Sequence, residues 1–499
     1  MSDSSKSPLR TYQAACPGCG APVHFVSAQS THAVCGYCQS TVVRNGEVLS
    51  RLGKMAEVFN DHSLLQLQVS GIYQNQPFTL LGRLQYQYGE GTWVEWHAVL
   101  QDGSSAFLCE DNGAYVFTKT IATQRTMPPP ERLALGTPST INGKSFTVSS
   151  NQPVQLLAAQ GELPHLPELG ASHSMVELRS AEGEVLSIDY GTSPPRICLG
   201  KAVSLDALSL KGLRDELSKE EKGRQFDCPH CGAPVTVQLA TSKSLTCSAC
   251  SSIIDISQGV GGELKHAAQD EPMEPLIKLG STGTFQGATW QVVGYQHRMG
   301  TDPVYPDESF GWEEYLLYNA KRGFTFLVDS VEGWSLVKPA TGAPTLSNDQ
   351  KSANYLGAHY LLKESYTATT NYVAGEFYWQ VQRGQKTTNR DYAQSNSLLS
   401  MEQSPSELTW SVGSKLNSDT VAKMFKLEDK KELLSRSDAH PLASSSDAPW
   451  QLYVFIGFML LVIFLVMSRN DCDPNVENCT TSRTSGGSFG GYTSGGGHK

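Results

Sequence analysis

Short runs of alternating apolar and polar residues recur through two long stretches of this 499-residue chain. Residues 78–84, 93–100, 114–118, 289–296, 315–319 and 324–328 are rich in aromatic and β-branched side chains, which suit a pleated, half-buried strand. Asp102-Gly103, Asn112-Gly113, Asn142-Gly143 and Glu332-Gly333 punctuate them as turns. Turn signals at this spacing predict antiparallel β-rich domains of the sandwich or barrel type over 64–204 and 276–424. Helical periodicity is confined to 205–217 and 420–434, predicting a helical linker over 205–224 and a helix with a polar linker over 425–449. Residues 450–467, WQLYVFIGFMLLVIFLVM, carry no charge. At about 1.5 Å per residue such a helix spans about 27 Å, close to a bilayer hydrocarbon core, so the expectation is one transmembrane helix.

The two β-rich stretches are copies of each other, and each is preceded by four cysteines. Cys16-Pro17-Gly18-Cys19-Gly20 with Cys35 and Cys38 recurs 212 residues later as Cys228-Pro229-His230-Cys231-Gly232 with Cys247 and Cys250. Two CxxC knuckles joined by a loop of this length predict zinc ribbons over 1–50 and 225–260, each holding one structural Zn(2+). Disulfides or redox pairs are the plainer alternative, but the polar first twelve residues show no export signal, which favours a reducing compartment. Gly71 matches Gly283 and Gly82 matches Gly294 at the same offset, with Phe78 opposite Trp290. At an offset of 219, Trp93-Val94-Glu95-Trp96 faces Trp312-Glu313-Glu314-Tyr315, and Phe107-Leu108 faces Phe326-Leu327. Farther on, Ser145-Phe146-Thr147 is set against Ser365-Tyr366-Thr367, and Gly161-Glu162-Leu163 against Gly375-Glu376-Phe377.

Charge bears on partners. The net charge is -10, no Lys or Arg lies between Cys16 and Cys38, and only Lys243 lies between Cys228 and Cys250. Phosphate neutralisation needs a basic stripe, so the ribbons argue against nucleic acid. Lys430, Lys431 and Arg436 before the apolar segment outnumber Arg469 and Arg483 after it, which puts the body on the cytoplasmic side and the Gly/Ser-rich tail, 468–499, outside. There, Cys472 and Cys479 have the spacing for a small disulfide loop or for two free thiols. Gly486-Gly487-Ser488-Phe489-Gly490 matches a nucleophile elbow only formally, because no strand precedes it.

The Trp93 and Trp312 blocks, the Gly-Glu-Leu and Gly-Glu-Phe turns and Trp410-Ser411-Val412-Gly413 resemble the bacterial DUF4178 family of β-rich domains, here in tandem. The second copy resembles it more fully, with Gly375-Glu376-Phe377-Tyr378-Trp379 and Asp391-Tyr392, whereas the first has Gly161-Glu162-Leu163-Pro164. The resemblance implies a bacterial inner-membrane protein. Through the company such domains keep with polyamine-synthesis and membrane-stress genes, it also implies an envelope- or polyamine-related role. It supplies no catalytic residues.

The leading expectation is a membrane-anchored binding or scaffold module with an unidentified protein partner, its contact surface built from Trp312, Glu314, Tyr315, Glu376, Phe377 and Trp379. A small-ligand sensor and an enzyme are the alternatives. The enzyme would draw on the repeated carboxylates Glu95 with Glu314 and Glu110 with Asp329, which equally suit a polyamine. Carboxylates beside Trp on strands are more often satisfied structural groups. No metalloprotease, P-loop or dinucleotide motif is present, and His24, His32 and His230 have no vacancy to fill beside four thiolates. Cys109 and Cys198 lack a CxxC partner and read as buried packing residues.

Overall fold

The structure is a computed structural model. It describes residues 12–436, apart from 28, 46–47, 56–62, 90, 112, 124–125, 215–223, 240–241, 258–263, 270–272, 305–306, 308 and 406. The expected span at 450–467, the tail and the Cys472–Cys479 pair lie outside the described residues. Among those described, no helix is long and apolar enough to cross a membrane.

Each repeat is an eight-stranded antiparallel barrel. In the first, β1 (Gln76–Tyr88), β2 (Gly91–Leu100), β3 (Ser105–Asp111) and β4 (Ala114–Thr120) form one meander. β5 (Lys144–Leu163), β6 (Ser172–Arg179), β7 (Glu184–Asp189) and β8 (Arg196–Val203) form another. Pairing of β4 with β8 and of β5 with β1 closes the barrel and leaves no free edge between the meanders. The second repeat follows the same plan, with β9 (Ala288–Thr301), β10 (Ser309–Asn319), β11 (Gly323–Ser330) and β12 (Gly333–Pro339), then β13 (Ala358–Phe377), β14 (Lys386–Gln394), β15 (Ser397–Gln403) and β16 (Leu408–Leu416).

Closure depends on the long strands β5 and β13, each 20 residues, which bend from one partner to the next through β-bulges. At the seam Gly161 pairs with Gly82 and Gly375 with Gly294. A Cβ on Gly82 would stand 2.0 Å from the Glu162 carbonyl oxygen, and one on Gly375 would stand 2.3 Å from that of Val293. Gly161 and Gly375 also adopt φ of +73° and +92°, a region that favours glycine. The matched pairs Gly82 with Gly294 and Gly161 with Gly375 are therefore barrel-closing residues, whereas Gly71 and Gly283 lie on short strands outside the ring.

Alternation is plain along β11, where every second residue is buried on the outer face and the intervening ones point into the lumen. The outer faces carry the larger apolar cores. Leu65, Val69, Leu205 and Leu208 cover Phe78, Leu80, Trp96 and Phe117 in the first repeat. Ile277, Val421, Met424, Phe425 and Leu434 cover Trp290, Tyr315, Leu327 and Trp334 in the second.

Two helical expectations are corrected. Among the described residues 205–214 only Leu205–Leu208 turns, as a 3-10 helix that Ser209 ends at φ 47°, and Leu205 and Leu208 cover the barrel; residues 215–223 of the expected linker lie outside the described residues. Over 420–434 two short helices replace one, α1 (Ser418–Phe425) and α2 (Lys431–Leu434), since Lys426 takes the left-handed conformation at φ 57°. One register is also corrected. The bulge between Val148 and Ser150 corresponds to that between Leu362 and Glu364, an offset of 214. Phe146 therefore matches Tyr360, both buried in outer cores, and the expected match with Tyr366 slips by six residues.

Candidate functional site

Both four-cysteine groups converge. Their Sγ atoms all lie within 4.8 Å of one another in each ribbon. The closest pairs, Cys16–Cys38, Cys19–Cys35, Cys228–Cys250 and Cys231–Cys247, stand at 3.7, 3.8, 3.8 and 3.8 Å. A disulfide would need about 2.05 Å, whereas four thiolates about 2.3 Å from a tetrahedral ion sit about 3.8 Å apart. The donor set fits a metal ion. Local backbone builds the knuckles: the Cys16 N–H donates to Ala21 O at 2.7 Å, the Gly20 N–H to Cys16 O at 2.8 Å, and Gly20 holds φ +77°. Gly18 N–H points at the Cys16 sulfur from 3.3 Å. The hydroxyls of Ser40 and Ser252 favour the thiolates of Cys38 and Cys250 and pull each down to about 6.

Glu162 and Glu376 do not open to a binding surface. Each carboxylate is buried and clamps its ribbon to its barrel. Glu162 accepts from Val26 N–H at 2.8 Å and from Ser27 N–H at 3.1 Å. Glu376 accepts from the N–H groups of Gln238 at 2.7 Å and Leu239 at 2.9 Å, and from Ser242 Oγ at 2.6 Å. Phe377 is buried in the apolar cluster beside Val293 and Leu316. Tyr315 is wholly buried in the outer core, with its hydroxyl on Glu313 at 2.8 Å. Of the six expected contact residues, only Trp312, Glu314 and Trp379 line a cavity.

The repeated carboxylates separate in the same way. Glu110 and Asp329 face outward and fasten the covering segments. Glu110 accepts from Ser63 Oγ at 2.7 Å and Trp96 Nε1 at 2.9 Å. Asp329 is bound by Arg436 at 2.6 and 2.7 Å. Burial lifts Asp329 to about 6 although Arg436 pulls the other way. Glu95 and Glu314 face the lumens, each beside a buried arginine.

In the first lumen Arg196 Nη2 donates to Glu95 at 3.0 Å and to Asp189 at 3.2 Å, and His173 Nε2 lies 3.2 Å from Asp189. Burial opposes the Asp189 charge, but His173 and Arg196 more than offset it and hold the carboxyl below its usual range. In the second lumen Arg298 Nη1 donates to Glu402 at 2.9 Å and lies 3.5 Å from Glu314, while Nη2 donates to Thr387 Oγ1 at 2.8 Å. Glu314 also accepts from Trp312 Nε1 at 2.6 Å and from Gln296 Nε2. Strand registers make Glu95 equivalent to Glu314 and Asp189 to Glu402. The two arginines are not equivalent: Arg196 occupies the position of Thr409, and Arg298 that of Tyr86.

One cavity of about 1130 Å³ draws on the inward faces of both barrels, with Trp93, Glu95 and Gln152 from the first and Trp312, Glu314 and Tyr366 from the second. The barrels are fixed to each other across it. Arg179 Nη1 donates to Ala340 O at 3.0 Å, the Ala343 N–H to Ser180 O at 3.0 Å, and the Leu356 N–H to Ala181 O at 3.0 Å. Sequence reasoning had marked Glu95, Glu314 and Trp312. It missed Arg196, Arg298, Asp189 and Glu402, whose only signal is a lone charge at an inward strand position.

These features define a tandem antiparallel β-barrel protein with two ribbon-borne four-cysteine centres. The profile of the family described as Domain of unknown function (DUF4178) matches residues 66–205 and 278–418, more than half of the chain, and the chain belongs to that family. No curated protein and no solved structure matches it.

Proposed function

We propose that this chain binds a small organic molecule in the cavity shared by its two barrels and that the ribbons are structural clamps. The observation that carries the reading is the cavity itself. Its roughly 1130 Å³ exceeds the about 300–1,000 Å³ usual for small-molecule pockets, and aromatic walls alternate there with a few fixed polar groups. Glu95 and Glu314 are held by arginines and, for Glu314, by Trp312 and Gln296, an arrangement that suits recognition better than proton transfer. In this reading each ribbon takes one structural Zn(2+), which the thiolates close off from substrate and which stabilises a module too small to stand alone. Residues 450–467 tether the body to the cytoplasmic face of a bacterial inner membrane, so that ligand occupancy is reported to a protein partner there.

The test is titration of the full chain in non-ionic detergent with the neutral fluorescent probe N-phenyl-1-naphthylamine. Saturable uptake of one equivalent is expected. Emission no greater than that of detergent alone would reject ligand binding and return the protein to a pure scaffold.

A further inference from the structure

The shared cavity is not equally furnished by the two repeats. In the second lumen Phe310, Trp312 and Tyr366 form an aromatic cluster, with ring centroids 5.1, 5.5 and 5.7 Å apart and two of the three contacts edge-to-face. All three line the cavity. Beside them Glu364 and Asp391 are direct cross-strand partners, and both carboxylates line the same space. Asp391 accepts from the Tyr366 hydroxyl at 2.9 Å and from Ser400, and it forms no ion pair among the described residues. Glu364 makes no hydrogen bond or ion pair among the described residues. Lys363, the nearest lysine in sequence, is bound to Glu332. Burial raises both carboxyls above their usual range, with Asp391 adding to the rise at Glu364 and Glu402 to that at Asp391, and Lys363 offsets this only in part without pairing to either.

A second observation comes from Arg298. It is 5% exposed, it stands over the Trp312 ring at 5.5 Å, and its Nε–H has no partner although both Nη groups are engaged. A buried donor left in this state is destabilising unless a ligand or water supplies an acceptor. Of this set the first repeat keeps Trp93, at the position of Trp312, and an acid at that of Asp391. Gly91, Gln152 and Ser150 stand where the second has Phe310, Tyr366 and Glu364, and Glu177, at the position of Asp391, is neutralised by Arg179 at 2.6 Å.

We propose that the second barrel binds an organic ammonium ion between the carboxylates of Glu364 and Asp391 and the aromatic faces of Phe310, Trp312 and Tyr366. Arg298 Nε–H donates to an oxygen of the same ligand. The chemistry is that of aromatic cages, in which a cation sits against ring quadrupoles and a nearby carboxylate completes the charge. It rests on the ligand-binding reading above and narrows the ligand to one class.

The experiment is calorimetric titration of the full chain in non-ionic detergent with choline, with its uncharged carbon isostere 3,3-dimethylbutan-1-ol, and with spermidine. At least one of the two cations should bind with one-to-one stoichiometry, at least about tenfold more tightly than the isostere. Choline alone would point to a quaternary head, and spermidine alone to a primary polyamine. The Glu364→Gln/Asp391→Asn double variant should abolish that preference while keeping the metal content of the parent. Should that variant fail to fold, Phe310→Leu, which removes one half-buried ring face, should weaken the cation by about fivefold or more. The isostere binding as tightly as choline and spermidine, or no cation binding at all, would overturn the ammonium assignment. Uptake of the neutral naphthylamine would still decide separately whether the cavity binds ligands.

Discussion

The two barrels bury the same pair of lumen carboxylates but neutralise them from different strands. Glu95 and Asp189 in the first match Glu314 and Glu402 in the second, yet Arg196 comes from β8 and Arg298 from β9. At the sites where each arginine would have been inherited, the other copy carries Thr409 or Tyr86. The comparison teaches that the preserved feature is a balanced buried charge set, because an unpaired carboxylate in a lumen is strongly unfavourable while the origin of its cation is immaterial. Once that balance was met twice, the remaining inward positions were free to diverge. Tyr86, Phe107, Leu156 and Leu163 fill part of the first lumen, while the second turns Phe310, Tyr366, Glu364 and Asp391 toward the open space that both share.

The largest expected effect tests where the copies are alike. Cys19→Ser or Cys231→Ser should each release one of two bound metal ions, measured by elemental analysis, and each should loosen only its own ribbon in hydrogen exchange. Metal binding is worth about 10–16 kcal/mol to such modules, so loss from both ribbons after one substitution would mean that they are not independent.

Exchanging the arginines probes the comparison itself. Arg298→Tyr leaves Glu314 and Glu402 without their cation and should cost about 3–5 kcal/mol in urea unfolding. Adding Thr409→Arg to the same chain should restore most of it, and Arg196→Thr with Tyr86→Arg should behave likewise in the first barrel. Failure of both rescues would show that charge balance alone does not account for the substitutions.

A smaller effect is expected where ribbon meets barrel. Glu162→Gln and Glu376→Gln should each weaken docking by about 1.5–3 kcal/mol, read as faster amide exchange at Val26 and Ser27 or at Gln238 and Leu239. A change at the opposite ribbon would contradict the clamp.

The smallest concerns the outer faces. Asp329 has a folded-state value near 6, above the ordinary 3.8, so the folded protein holds the extra proton between those values. Its contribution is therefore full below about pH 4 and is lost as pH rises through 6, by about 3 kcal/mol at most. Asp329→Asn should flatten that part of the stability profile.

Much of this architecture was written locally. The cysteine spacing, the glycine matches and the alternation at 324–328 carry their meaning within a few residues, because a knuckle, a close strand crossing and a pleat are short-range objects. The lumen was not legible in the same way. Glu402 and Arg298 are 104 residues apart and meet only when β13 closes on β9. Glu376 lies in a Gly-Glu-Phe-Tyr-Trp run whose composition suggests a contact surface, and only the chain reversal at the seam turns its carboxylate toward the ribbon. Phe146 and Tyr366 both stand between Ser and Thr, a likeness of neighbours that the bulge register overrides.

Within the shared cavity the ligand is expected on the second-barrel side, because Tyr86 and Phe107 fill part of the first lumen. Cys109 and Val328 occupy equivalent inward positions, so Cys109→Trp and Val328→Trp place the same bulk in each barrel. Titration with N-phenyl-1-naphthylamine, at matched metal content, should show uptake abolished by Val328→Trp and retained in Cys109→Trp. Retention in Val328→Trp, or loss only in Cys109→Trp, would contradict the account.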